Sequence, residues 1–172
     1  CKSLKHFSIP PSVTSIGWHS FRDCVSLTHL DIPDVVRDIG GYSFSGCSSL
    51  KSIKIPNLVT IINEKTFESC RSLSEIILSD NLNYVVSGSF KKCKSLTKIV
   101  FPSSIRDIEL KSFESCSSLI NVYYKNKTES QCKFLDIIDS CKYYVSGDDK
   151  DEKFLKHIGL YNPSCKVNQI DE

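Results

Sequence analysis

Cys47-Ser-Ser-Leu50-Lys-Ser-Ile53-Lys-Ile55-Pro56-Asn-Leu-Val59-Thr-Ile-Ile62-Asn-Glu-Lys-Thr-Phe67-Glu-Ser, closed by Cys70, is one copy of the pattern that decides the fold. Cysteines stand at 1, 24, 47, 70, 93 and 116, an unbroken spacing of 23 residues. Each opens the same phrase, from Cys1-Lys-Ser-Leu4 to Cys116-Ser-Ser-Leu119. A constant period of this size marks a repeat architecture. Five phrases run to the next Cys without a gap, and the sixth drifts.

Numbered from its Cys, each unit carries apolar residues at positions 4, 7, 9, 13, 16 and 21. Position 4 is Leu throughout, at Leu4, Leu27, Leu50, Leu73, Leu96 and Leu119. Positions 7 and 9 flank one outward residue, the alternation of a short strand. Pro10, Pro33, Pro56 and Pro102 follow that strand, with Ser79 in their place in the fourth unit. Proline has no N–H to give a ladder and ends the strand there. Positions 13 and 16 turn inward again as a second extended segment. Phe21, Phe44, Phe67, Phe90 and Phe113 sit three residues before the next Cys, a spacing that predicts a single helical or 3-10 turn. A unit this small cannot bury its own apolar side, whereas units stacked in register form continuous columns. At about 4.8 Å per paired strand, six units give a core on the order of 25–30 Å long.

The phrase L-x-x-I-x-I-P…V-x-x-I-x-x-x-x-F-x-x-C resembles the BspA-type leucine-rich repeats of bacterial surface proteins and parasitic protists. The resemblance covers residues 1–124, in units starting at 1, 24, 47, 70, 93 and 116. It implies an α/β-type repeat solenoid, with one short parallel strand per unit, a second extended segment and a short helical or 3-10 turn. It also implies a cell-surface or secreted scaffold for adhesion and protein binding, with no catalytic residues to carry over.

Charge is nearly balanced, with 22 basic against 20 acidic residues, so nothing points to nucleic acid or an anionic membrane. No apolar run approaches the roughly 20 residues of a membrane span, and no direct membrane insertion is expected. The chain opens on a repeat boundary and contains no Met, which reads as a fragment or processed piece with further repeats or a cap upstream. A monomer is expected, or weak self-association through open ends of the array.

Nine cysteines would ordinarily suggest disulfides. Residues in one column point the same way, however, and a disulfide needs Cβ atoms about 3.8 Å apart and facing. The six ladder thiols are therefore expected to be free, small buried apolar groups. A row of thiolates does not make the tetrahedral cage that zinc prefers. The serines at position 3 are expected to bond the turn entering each strand.

Beyond Tyr124 the pattern loosens. Asn126-Lys-Thr128 is a glycosylation sequon that matters if the chain enters a secretory pathway. Cys141-Lys-Tyr-Tyr reads as the start of a degenerate seventh unit, although Phe134, Ile137, Ile138 and Cys141 also have helical spacing. A further helix is expected from the acidic run after Gly147 into Phe154, Leu155 and Ile158. Residues 125–172 are read as a degenerate last repeat and C-terminal cap. In an exported chain, Cys132 and Cys165 would be the disulfide pair, since neither occupies a column.

Buried columns explain stability, so function falls to the outward strand positions 6 and 8. Position 8 is polar at Ser8, Asp31 and Lys54 and becomes apolar at Ile77, Val100 and Tyr123. That stripe is the first candidate protein-binding surface, with the alternative that the tail folds over it. The polar end around His29, Asp31 and Lys54 is the second. His6 and His29 could share a divalent ion, but no third ligand is apparent. No Gly-rich phosphate loop, G-x-S-x-G or H-E-x-x-H occurs, so no enzyme activity and no cofactor are expected. The expected role is a non-enzymatic interaction module binding a protein or glycan on its strand face. An intracellular scaffold assembling complexes is the alternative, and the upstream sequence would separate the two.

Overall fold

The computed structural model describes residues 1–109 and 111–125, together with the backbone of the strands Lys142–Ser146 and Asn168–Gln169. The elements follow the 23-residue period. On one face run β3 (Ser52–Lys54), β5 (Glu75–Ile77), β7 (Lys98–Phe101), β9 (Asn121–Lys125), β10 (Lys142–Ser146) and β11 (Asn168–Gln169). A second face carries two-residue strands: β1 (Ser15–Ile16), β2 (Asp38–Ile39), β4 (Ile61–Ile62), β6 (Tyr84–Val85) and β8 (Asp107–Ile108). The pairs are parallel and in register, with Ile53 opposite Ile76, Ile99 opposite Val122, and Val85 opposite Ile108. The chain is thus a solenoid whose turns present the same side chain at the same place.

The first strand of each unit ends where the sequence says it should. The carbonyls of Pro10, Pro33, Pro56 and Pro102 accept from the N–H three residues on, at 3.0–3.2 Å, and turn the chain inward. Ser79 keeps the same turn, its carbonyl accepting from the Leu82 N–H at 3.2 Å, and adds to it: its hydroxyl donates to the Asn57 carbonyl at 3.3 Å and accepts from the Asn81 N–H at 3.1 Å. In units 1 and 2, residues 6–9 and 29–32 follow the same course without forming a regular strand.

The helical turn expected before each Cys is not there. Positions 19 and 23 of each unit have positive φ, from His19 (59°) and Asp23 (55°) to Lys111 (66°) and Ser115 (63°). Two left-handed residues four apart cannot belong to a right-handed helix. Instead, N–H groups alternate in use. Those at even positions close turns onto the carbonyl three residues back, as Ser45 to Tyr42 at 3.1 Å, while those at odd positions donate to the next unit, as Phe44 to Thr66 at 2.9 Å. This segment is therefore a third ladder along the array.

The core lies inside these three faces. Leu27, Leu50, Leu73 and Leu96 are fully buried, as are Phe44, Phe67 and Phe90. The phenylalanines stack face to face, with centroids 5.4, 5.4, 5.5 and 5.1 Å apart from Phe21 to Phe113. Beside them runs a buried hydroxyl column, Ser43, Thr66, Ser89 and Ser112. Thr66 Oγ1 donates to the Asn63 carbonyl at 2.8 Å, and Ser89 and Ser112 likewise bond carbonyls three residues back. This position-20 column was as periodic as the position-3 serines, and its hydroxyls on Thr66, Ser89 and Ser112 are bonded while that of Ser43 has no partner among the described residues.

One expectation for the tail is corrected by register. Lys142 pairs with Asn121, so equivalent strand positions are 21 residues apart there, and a seventh unit opening on Cys141 would place its strand later. The strand begins one residue after Cys141 instead. The sequon at Asn126, the helices expected near 134–141 and after 147, and the Cys132 and Cys165 pairing lie outside the described residues.

Candidate binding surface on the strand face

The outward strand positions form a concave pocket of about 390 Å³ across units 3 to 6. Its floor is apolar: Ile77, on β5, is 54% exposed, and Val100, on β7, is half-buried beside it. Both project outward because Ile76 and Ile99, their neighbours along the strands, turn toward the core. Lys54, Glu75 and Lys98 line one part of the rim, and Asn57, Asp80 and Lys125 another. Lys125 Nζ stands 3.4 Å from Asp80 Oδ1, an ion pair that passes over the intervening unit.

Tyr123 does not join this floor. It is 6% exposed, flanked by Val100 on β7 and by β10, which pairs in register along the other edge of its strand. The apolar stripe therefore narrows to the exposed Ile77 and the half-buried Val100. The outward position alone could not reveal this, because a further strand beyond β9 lies in the sequence that had lost its period. Asp80 and Lys125 were missed for a related reason. Asp80 lies in the turn beyond β5 and Lys125 is the last residue of β9, and they meet 45 residues apart.

At the polar end, His29 Nε2 lies 3.0 Å from Asp31 Oδ1, and Lys54 Nζ lies 3.5 Å from Asp34 Oδ1. All four side chains are more than half exposed. Lys54 alone of His29, Asp31 and Lys54 reaches the pocket rim. Among the described residues, no three His, Cys, Asp or Glu side chains converge as a metal site. No helix among them is long and apolar enough to cross a membrane.

The cysteine column has a structural job. Cys24, Cys47, Cys70, Cys93 and Cys116 are buried free thiols, and Cys1 is an exposed one. Cys47, Cys70, Cys93 and Cys116 each donate S–H to the carbonyl of the Phe 26 residues back, at 3.0–3.2 Å. Burial pushes the Cys47 thiol up to about 12 and the Cys116 thiol to about 11, and raises Cys70 and Cys93 well above the ordinary value. A thiol held neutral is a poor nucleophile and a poor metal ligand.

With the geometry in hand, comparison with known proteins is informative. Residues 1–132 match the BspA-type leucine-rich repeat region, in six copies. A leucine-rich cell surface protein of Faecalibacterium prausnitzii superposes with a TM-score of 0.71 at 31% identity, over 74% of this chain and 34% of that one. The chain thus spans about a third of that protein's length. The leucine-rich repeat protein of T. pallidum shares the fold, with a TM-score of 0.66 at 24% identity over 91% of this chain and 81% of the other. No curated protein sequence gives a significant match.

Proposed function

Because the chain belongs to the BspA-type leucine-rich repeat family, whose repeats are in general non-enzymatic binding scaffolds, we propose that it binds a protein ligand at the Ile77–Val100 pocket on its strand face. One observation carries this reading. Ile77 is a large aliphatic side chain, 54% exposed, standing on a rigid sheet with charged residues around it. Apolar anchors ringed by polar groups are the usual make-up of an interaction hot spot. The cysteine and phenylalanine columns are sealed and offer a ligand nothing. A place at the cell surface is supported by the F. prausnitzii relative, which is described as a cell surface protein.

The test is photocrosslinking. A benzophenone side chain at Ile77 should capture discrete proteins from an extract of the surfaces the cells meet. The same group at Leu58, exposed on another face, should not capture them. Identical capture from both positions would remove the strand face from consideration.

A further inference from the structure

The third ladder carries, across units 1 to 3, an aromatic cluster that the core does not use. Trp18, the chain's one tryptophan, is 61% exposed. Its column otherwise holds Gly41, Glu64, Ser87 and Leu110, so the repeat asks for no aromatic ring there. The ring lies against the bare Cα of Gly41, where a Cβ would stand 2.9 Å from Cζ3 and 3.0 Å from Cη2. A side chain at 41 would therefore displace it. The Tyr42 ring lies beside it, 6.2 Å between centroids at a tilt of 33°, and His19 packs on Tyr42 at 5.0 Å. An exposed indole held in this way offers a large apolar surface at little cost in side-chain freedom.

Polar groups border the cluster, and their charges are already balanced. Tyr42 Oη donates to Glu64 Oε1 at 3.1 Å and accepts from Lys65 Nζ at 2.9 Å, while Lys65 Nζ stands 3.2 Å from Glu64 Oε1. Arg22 Nε lies 3.6 Å from Asp23 Oδ2. Two basic groups are thus matched by two acidic ones, an arrangement complementary to a ligand without net charge. A quaternary ammonium meets a further obstacle. Arg22 and Lys65 already stand 5.7 and 5.1 Å from the Tyr42 centroid, the place such a cation would take. A proline-rich peptide needs two rings facing each other across a prolyl ring, about 7–8 Å apart for two van der Waals contacts. Trp18 and Tyr42, at 6.2 Å, leave no such slot.

The chemistry that fits is a neutral molecule with one apolar face and a rim that both donates and accepts. A pyranose is built that way: C–H groups line a face, for dispersion contact with a flat ring, and hydroxyls circle its edge. We propose that Trp18 is the platform of a glycan-binding site that takes one hexopyranose unit of a neutral glycan, with Glu64 and Lys65 bonding its hydroxyls. The carboxylate accepts and the ammonium donates, so adjacent hydroxyls of one sugar can engage both without leaving either charge unpaired. The site lies on the third ladder, and it requires neither Ile77 nor Val100.

The test uses the biotinylated full chain, clustered on streptavidin so that weak contacts add, on a printed array of neutral, sialylated and sulfated glycans. Neutral glycans should retain it, and the best of them should bind the free chain with a Kd of roughly 0.1–10 mM, as suits so few contacting atoms. Because Trp18 is the only tryptophan, its fluorescence reports on this platform alone and should change saturably in the same titration. Trp18→Ala should abolish retention with an unchanged circular dichroism spectrum, while Trp18→Phe keeps part of it. Glu64→Ala with Lys65→Ala should weaken binding about tenfold or more, through loss of hydrogen bonds to charged groups. A wild-type chain retained by no neutral glycan would overturn the proposal, as would a preference for sialylated or sulfated glycans. Tighter binding of choline or of a polyproline peptide would do the same, and so would glycan binding that survives Trp18→Ala or leaves the tryptophan emission unmoved.

Discussion

Cys70 and Cys93 show how much a single residue type does here, because each fills a column, donates one hydrogen bond and stays neutral. Neutrality has a pH consequence. A thiol whose folded value is raised keeps its proton when the unfolded chain, at an ordinary 9.0, has begun to lose it. Stability from the column is complete below pH 9.0 and is lost as pH rises toward about 12, the Cys47 value. Each thiol contributes a slope of about 1.4 kcal/mol per pH unit in that window. Stability against urea should therefore fall steeply from pH 9 to pH 10.5, and less steeply after Cys70→Ala with Cys93→Ala. Equal slopes would mean that the thiols titrate alike folded and unfolded. The column itself was legible from spacing, since a shared direction excludes pairing within it. The left-handed residues were not: eight of the ten are not glycine, and nothing in His19, Lys65 or Lys111 announces positive φ. At Gly46, φ is 78° and a Cβ would run into Asp23 Oδ1. Gly46→Ala should lower stability by about 1–2 kcal/mol, the cost of a left-handed residue with a side chain, whereas Ser69→Gly, at φ 61°, should not lower it.

At the scale of the element, the strands and the phenylalanine stack follow from period alone, because each column needs the same side chain at the same place. The predicted helical turn failed because spacing of three between Phe and Cys also suits a turn ladder, and only backbone signs separate the two. That ladder binds neighbouring units by N–H groups at alternate positions, so the stack is held by three sets of bonds around its apolar centre. Phe67 is packed on both faces by Phe44 and Phe90 at near-parallel angles of 3° and 10°. Phe67→Ala should cost about 3–5 kcal/mol, as for a fully buried aromatic. Phe21 stacks on Phe44 alone and meets Phe7 edge-on. Phe21→Ala should cost distinctly less in the same denaturation series, and equal losses would contradict a stack in which each unit leans on its neighbours.

Over the whole molecule, stability and recognition are carried by different surfaces of one array. Sealed columns of Leu, Phe, Cys and hydroxyl residues face inward, while the strand face and the second face present the exposed aliphatic groups. The first part of this division was readable because repetition makes burial periodic. The candidate site was only half readable: Ile77 and Val100 are where alternation puts them, but burial of Tyr123 depends on β10, whose register departs from the period by two residues. The same loss of period hid Lys125 and its reach to Asp80. The central claim is that Val100 and Ile77 serve a ligand and not the fold. Its most direct test is the affinity of a protein captured through position 77, measured for wild type and for Val100→Asp, with the thermal midpoint taken on the same samples. Binding should fall by a factor of about 30 or more, the loss of a hot-spot residue, with the midpoint nearly unchanged. Undiminished binding by a folded Val100→Asp chain would contradict the account.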